Sequence, residues 1–244
     1  MIFFVILSRF CYFYMTNYTL IPIAFAKNGF TDKFGIPRQP STGSTIETRI
    51  VFTPEFRNPD AIRGIEQFSH LWLIWGFNER SNNLTVRPPR LGGNTRLGVF
   101  ATRSPFRPNP IGLSSVRLLR VACDSATSRE LIVSGADLLD GTPIFDIKPY
   151  IPYSDAHPDA TNGFAEDTKD YRLPVIFPDD SSIGPRLTTN DKQQISEILS
   201  QDPRPAYQDD PNRIYKLDFA GYNVAFFVKN DAVYIKNIIF SGKK

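Results

Sequence analysis

Four short segments combine residue types that can do chemistry with a backbone stiff enough to aim them. Ala101–Ser114 reads ATRSPFRPNPIGLS. Pro105, Pro108 and Pro110 freeze its φ angles, so Arg103 and Arg107 can be presented to an anion at small entropic cost. Asp137–Asp146, DLLDGTPIFD, sets Asp137, Asp140 and Asp146 around an Asp140-Gly141 turn. An acid at a strand end can hold a ribose diol, an amine or an arginine. Ile36–Ser41, IPRQPS, is a polar loop bounded by proline. Gln201–Tyr207, QDPRPAY, holds Arg204 extended between two prolines and sets the Tyr207 ring beyond them. An arginine beside an aromatic suits an unstacked base and its phosphate. Each segment also has a plain structural reading: a rigid connection, a hairpin turn with a salt bridge, a Pro-bounded loop, and a linker whose arginine pairs with a nearby acid.

Charge is uneven. The formal net charge is only +3, yet Arg38 to Arg120 holds twelve Arg, no Lys and five acids. The planar guanidinium fork matches phosphate and carboxylate better than a lysine point charge does. Ordinary surface pairing accounts for such a segment equally well. Cys11, Cys123, His70 and His157 show no metal-ligand spacing and no disulfide framework. A reducing compartment, the cytoplasm, is the default. Neither a GxGxxG run nor a phosphate-cradling Gly-Lys loop occurs, so the common nucleotide folds receive no support.

The elements that must carry these segments are mostly strands. Proline punctuates the first two thirds, which argues for short strands and rigid turns. Ile21–Ala26 reads as a first strand. Asn58-Pro59-Asp60 reads as a capped helix start running to about Gln67. His70–Phe77, HLWLIWGF, reads as a strand buried on both faces. Leu97–Ala101, Ile111–Val121, Leu131–Val133 and Ile144–Ile147 follow as strands, the last two flanking the Asp140-Gly141 turn. Helical pattern is scarce before residue 187, which favours a closed or rolled sheet over a doubly wound one. The expected fold is mainly β, a small closed non-Rossmann barrel at 19–155. An acidic excursion or linker at 156–184 and a small α+β domain at 185–244 follow. In that last part Thr189 or Asn190 would cap a helix through Leu199. Tyr222–Val228, an Asn230-Asp231 turn and Ala232–Phe240 would form a hairpin. Residues 1–18 form an extension. Its first 14 residues are apolar and aromatic, too short to span a bilayer and interrupted by Arg9. Met15 is the more natural start.

In order along the chain, GIPRQPS, IRGIEQFSHLWLIWGF, VRPPRLGGNTRLGVFATRSPFRPNPIGLS, DLLDGTPIFDIKPYIPYSDAHPDA and QDPRPAY together resemble the TrmO (TsaA-like, YaeB) family of tRNA methyltransferases. The resemblance runs from about residue 19 to residue 240. It implies a β-barrel that binds S-adenosylmethionine and a homodimer. It also implies methylation of N6 of threonylcarbamoyladenosine at position 37, beside the anticodon. The implied cofactor pocket comprises Gln39, Pro40, Ser41, Asn78, Glu79, Arg103, Leu113, Asp140, Gly141, Thr142 and Pro143. Two positions depart from the family pattern. Asn78 stands where relatives carry His, and it cannot titrate near neutrality. Ala26-Lys27-Asn28-Gly29 stands where Arg-Ser-Pro is expected.

Methyl transfer from a sulfonium is an in-line displacement that needs no metal. Holding the reactants in line can supply ~7–11 kcal/mol, whereas a general base gives about 3–5 kcal/mol. Arg103 and the Asp140 turn are therefore expected to orient the cofactor, with proton removal secondary and Asp137 and Asp146 as base candidates. Arg107, Arg204 and Tyr207 are expected to meet tRNA at its anticodon loop. No cofactor motif falls in 185–244, so cofactor binding is expected to survive its removal. No membrane contact is expected. Two other readings share these residues: a barrel methyltransferase with a small-molecule acceptor, and an RNA-binding barrel without chemistry.

Overall fold

The computed structural model describes residues 19–37, 39–40, 44–88, 91, 95–125, 128–168, 171–179, 187–204 and 210–242. The expected extension at 1–18, together with Arg38, Ser41 and Tyr207, lies outside them.

Six antiparallel strands close into a barrel in the order β1-β2-β7-β6-β3-β8. They are β1 (Ala24–Lys27), β2 (Glu47–Phe52), β3 (His70–Gly76), β6 (Ile111–Ser125), β7 (Ser128–Ser134) and β8 (Pro143–Pro149). Between β3 and β6 the chain makes an excursion with its own two-stranded sheet, β4 (Thr85–Val86) and β5 (Leu97–Gly98). Side-chain alternation explains the closure. Ala24 and Ala26 of β1, Ile50 and Phe52 of β2, and Leu71, Leu73 and Trp75 of β3 join Val116, Leu131, Val133 and Ile144 in one core.

The antiparallel order fixes which connections share an end. Lys27 pairs with Arg49, Glu47 with Ser134, Gly76 with Ile111, and Phe25 with Pro143. The ends of β1, β3 and β7 therefore meet the starts of β2, β6 and β8 at one rim. Connections 28–46, 77–110 and 135–142 all leave from it.

A second core lies under the four-stranded sheet β10-β11-β12-β9. Its strands are β9 (Val175–Ile176), β10 (Tyr215–Phe219), β11 (Tyr222–Lys229) and β12 (Ala232–Phe240), with helix α2 (Thr189–Ser200) packed on them. Ile195, Ile198 and Leu199 are the buried face of that helix. At the other end of the barrel, α1 is a single turn, Pro152–Asp155.

Several expectations need correction. The first strand begins at Ala24, not Ile21. Asn58 does cap, its side chain accepting from the Asp60 amide, but no α-helix follows. Two 3-10 turns, Pro59–Ile62 and Ile65–Gln67, are separated by Gly64 at φ 86°, a conformation an α-helix cannot contain. β3 is buried on one face and half-buried on the other. The strand expected at Leu97–Ala101 stops at Gly98 and tightens into a 3-10 turn, Val99–Ala101. Asp140-Gly141 is a turn, but β7 and β8 are not partners: β7 lies between β2 and β6, β8 between β1 and β3. Thr188 caps α2 through a reciprocal capping box with Asp191. Inside the stretch read as linker, Leu173 is buried in the second core and Val175 pairs in parallel with Val233. From the other side of the sequence, Phe30 and Ile46 are buried in that same core, with Phe34 and Ile36 packed on it.

Candidate active site

Most of the motif residues stand on the one rim that the strand order creates. The proline-arginine loop and the loop after β3 are laced together there. The Phe77 amide donates to the Pro110 carbonyl at 2.8 Å and the Ser81 amide to the Arg107 carbonyl at 3.3 Å. Arg103 reaches across to the first loop, its Nη1 donating to Gln39 Oε1 at 2.6 Å. Glu79 forms an ion pair with Lys33 of the same first connection. Asn78 is exposed beside it.

Asp137 enters the barrel end. After β7, Gly135 turns the chain at φ 81°, and Ala136 and Leu138 drop into the core. Asp137 between them meets β6: Ser114 Oγ donates to its Oδ1 at 2.5 Å, and Trp75 Nε1 donates to Ser114 Oγ at 2.9 Å. The indole can lie there because its neighbour across the ladder is Gly112. A Cβ at that position would stand 2.2 Å from Trp75 Cε2. Burial pushes the Asp137 carboxyl up to about 6, against the opposing pull of Ser114, a backbone amide and the Arg103 guanidinium. Arg103 thus acts on both Gln39 and Asp137.

The Asp140 turn is held by the segment where Arg-Ser-Pro was expected. The Asn28 amide donates to Asp140 Oδ1 at 3.1 Å, and Lys27 Nζ lies 3.3 Å from Oδ2. The Asp140 amide donates to Phe30 O at 2.9 Å and the Gly141 amide to Ala26 O at 2.8 Å. Gly141 takes φ 80°. The Asn28 side chain donates to Leu138 O at 2.9 Å, tying both loops together. Thr142 is buried, its hydroxyl donating to Leu139 O at 2.8 Å. Pro143 opens β8 against Phe25. The partners of Asn28, Ser114, Trp75 and Lys33 had no signal in the sequence, because a single side chain in a strand or turn carries no periodicity that names what it meets.

Three expected residues do not join this arrangement. Leu113 is 55% exposed and points away from the barrel interior, on the opposite face of β6 from Ser114. Asp146 pairs with Ile74 on the outer wall and forms an ion pair with Lys148 at 3.0 Å, so it does not face Asp137. Arg204 is not an extended, open side chain. It is 11% exposed and makes two hydrogen bonds to Asp202, at 2.8 and 2.9 Å. Its paired guanidinium is a structural part of the second domain. Among the described residues no cluster of His, Cys, Asp and Glu gathers as a metal site, and no helix is long and apolar enough to cross a membrane.

The donor set suits a zwitterionic nucleoside ligand. The Arg103 guanidinium offers itself to a carboxylate, and the half-exposed Asp140 carboxylate to a diol or amine.

Comparison with known proteins agrees with this chemistry. The model of the tRNA-methyltransferase O N-terminal domain matches residues 25–156, and that of the TrmO C-terminal domain matches residues 171–241. A tRNA (adenine(37)-N6)-methyltransferase of Escherichia coli is 38% identical over 88% of this chain and 94% of its own length. A putative S-adenosylmethionine-dependent methyltransferase of Pseudomonas aeruginosa is 44% identical over 82% of this chain and 87% of its own. A crystal structure of TrmO from Pseudomonas aeruginosa superposes with a TM-score of 0.75 at 35% identity, covering 92% of this chain and 98% of the other.

Proposed function

This chain belongs to the TrmO family of tRNA methyltransferases, and from that premise we propose how its rim residues serve S-adenosylmethionine-dependent N6-methylation of adenosine 37 in tRNA. The acceptor we assign is threonylcarbamoyladenosine, and the place of action is the cytoplasm. The carrying observation is the convergence of Gln39, Arg103 and Asp137 at one barrel end.

When bound, S-adenosylmethionine supplies a methyl group activated on a sulfonium, so one S–C bond breaks as one N–C bond forms and a proton leaves N6. Arg103, steadied by Gln39, holds the amino-acid carboxylate of that cofactor. The Asp140–Pro143 turn, braced by Lys27 and Asn28, lines the nucleoside end. Pro40 of the first loop, with Asn78 and Glu79 of the loop after β3, completes the pocket. Asp137 takes up the N6 proton at its carboxylate, which Ser114 orients by donating from Oγ to Oδ1. Arg107, on the proline-locked loop, faces the phosphates of the anticodon loop.

The homodimer we place on the outer wall of the barrel. Phe25, Ile111 and Leu113 are exposed there on β1 and β6, with Ile74 and Phe145 between them on β3 and β8. Leu113 then approaches the cofactor from the partner's side. Leu113→Asp should dissociate the dimer in sedimentation; an unchanged mass would remove this face from the interface.

The activity is tested with the purified chain, labelled S-adenosylmethionine and two tRNAs that differ only in the threonylcarbamoyl group. Label on N6 of the modified tRNA alone is expected. Transfer to neither tRNA would overturn the reading.

A further inference from the structure

The excursion between β3 and β6 carries two large apolar side chains that are mostly exposed. Phe100 is 76% exposed and Leu84 69% exposed. The backbone beside Phe100 is tied to that of Leu84, because the Val99 amide donates to Leu84 O at 2.9 Å. Neither is a loose tip. Val99, beside Phe100, is buried, and the Thr102 hydroxyl and amide both close onto Val99 O, at 2.9 and 3.2 Å. Phe100 is thus held out into solvent by a rigid clasp, which lowers the entropy lost when something stacks on it.

The excursion that carries it is cationic. Arg80, Arg87 and Arg96 are exposed and Arg107 is half-buried, and no carboxylate pairs with any of the four among the described residues. Val86 pairs with Leu97 as the last pair of the two-stranded sheet, and Arg87 and Arg96 are the residues next to that pair on the two strands. The one acid of the excursion, Glu79, is engaged by Lys33.

We propose that this excursion is a single-stranded RNA clamp, in which Phe100 stacks on an unpaired base beside the target adenosine while Arg80, Arg87 and Arg96 hold the flanking phosphates. The inference rests on the tRNA reading above and goes beyond it by moving nucleic-acid recognition away from Arg204 and onto this flap. An aromatic face with arginines around it is the chemistry of base stacking on a splayed loop. A second copy of the chain fits poorly, since a twofold contact would press the same arginines against themselves.

The test uses the full chain, an anticodon stem-loop RNA and its fluorescence anisotropy, with cofactor binding measured by calorimetry. Phe100→Ser should weaken RNA binding about 5- to 100-fold, leave cofactor affinity and melting temperature unchanged, and be rescued by Phe100→Trp. Replacing Arg87 and Arg96 together by Ala should lower the slope of log affinity against log salt by roughly 1–1.5. Unchanged RNA binding by Phe100→Ser, alongside normal binding by the parent chain, would overturn the clamp alone. Failure of the parent chain to bind or methylate any tRNA would overturn the clamp together with its premise. Dissociation of the dimer by Phe100→Ser would assign the flap to a second copy instead.

Discussion

Asp137 is a carboxyl that the fold has made harder to ionise. Its folded value, about 6, lies above the ~4 of an unfolded aspartate. Between those two values the folded chain keeps a proton that the unfolded chain has released. Stability therefore falls as pH rises from about 4 to about 6, by up to roughly 3 kcal/mol, and is level above that window. Asp137→Asn should flatten this slope in chemical denaturation measured across the window. If Asp137 takes up the N6 proton, methylation should also rise through pH 6 in the parent chain. The Asn variant should lose that step and about 10²–10⁴-fold in rate. A variant that keeps the pH step would remove Asp137 from the chemistry. Arg103 is tested separately. Arg103→Ala gives up a charged partner for the ligand and should weaken S-adenosylmethionine binding about 10- to 100-fold in calorimetry, with little change in melting temperature because the side chain is exposed.

At the scale of elements, the ladder between β3 and β6 sets the site's geometry. Gly112→Ala places a methyl group against the Trp75 indole, and overpacking of this kind costs about 1–3 kcal/mol. The indole must move, which breaks its bond to Ser114. A lower melting temperature with shifted tryptophan emission is expected, and unchanged emission would show that Trp75 does not depend on this glycine. Such positions mark where the sequence was legible and where it was not. β11 and β12 were legible from alternation, and so was the turn between them, where Asn230 and Asp231 both take positive φ. The proline-arginine loop was legible because proline states its own backbone angles. β9 was not, since a two-residue strand exists only through its partner Val233. Tyr215–Phe219 alternates cleanly, but five residues are too few for alternation alone to mark a strand. The pairing of Asp137 with Ser114 depends on the loop after β7 meeting β6, which no single segment encodes. Arg204 was read from its prolines, while the acid that captures it, Asp202, lies only two residues away.

At the scale of the whole molecule, the two cores share a segment. Connection 28–46 begins on the barrel rim, buries Phe30 and Ile46 under the C-terminal sheet, and carries Gln39 back toward Arg103. Removing residues 185–244 would strip the cover from these side chains. The truncated chain should melt lower and bind S-adenosylmethionine more weakly, contrary to what motif placement alone suggests. Calorimetry on the truncated chain decides, and full cofactor affinity would mean that the first loop is set by the barrel alone. The barrel itself is closed by a narrow seam. β1 and β8 share only the register pairs Ala24 with Ile144 and Phe25 with Pro143, and proline has no amide to give. Bonds from Ile23 to Ile144 and from Ala26 to Thr142 complete the closure. In mechanical terms the cylinder has a zip, and the Asp140–Pro143 turn is its slider. The amides of Ile23 and Ala26 should exchange with deuterium sooner than those of β3. A ligand seated on that turn should slow them selectively, so that occupancy of the pocket is read as the fastening of the seam.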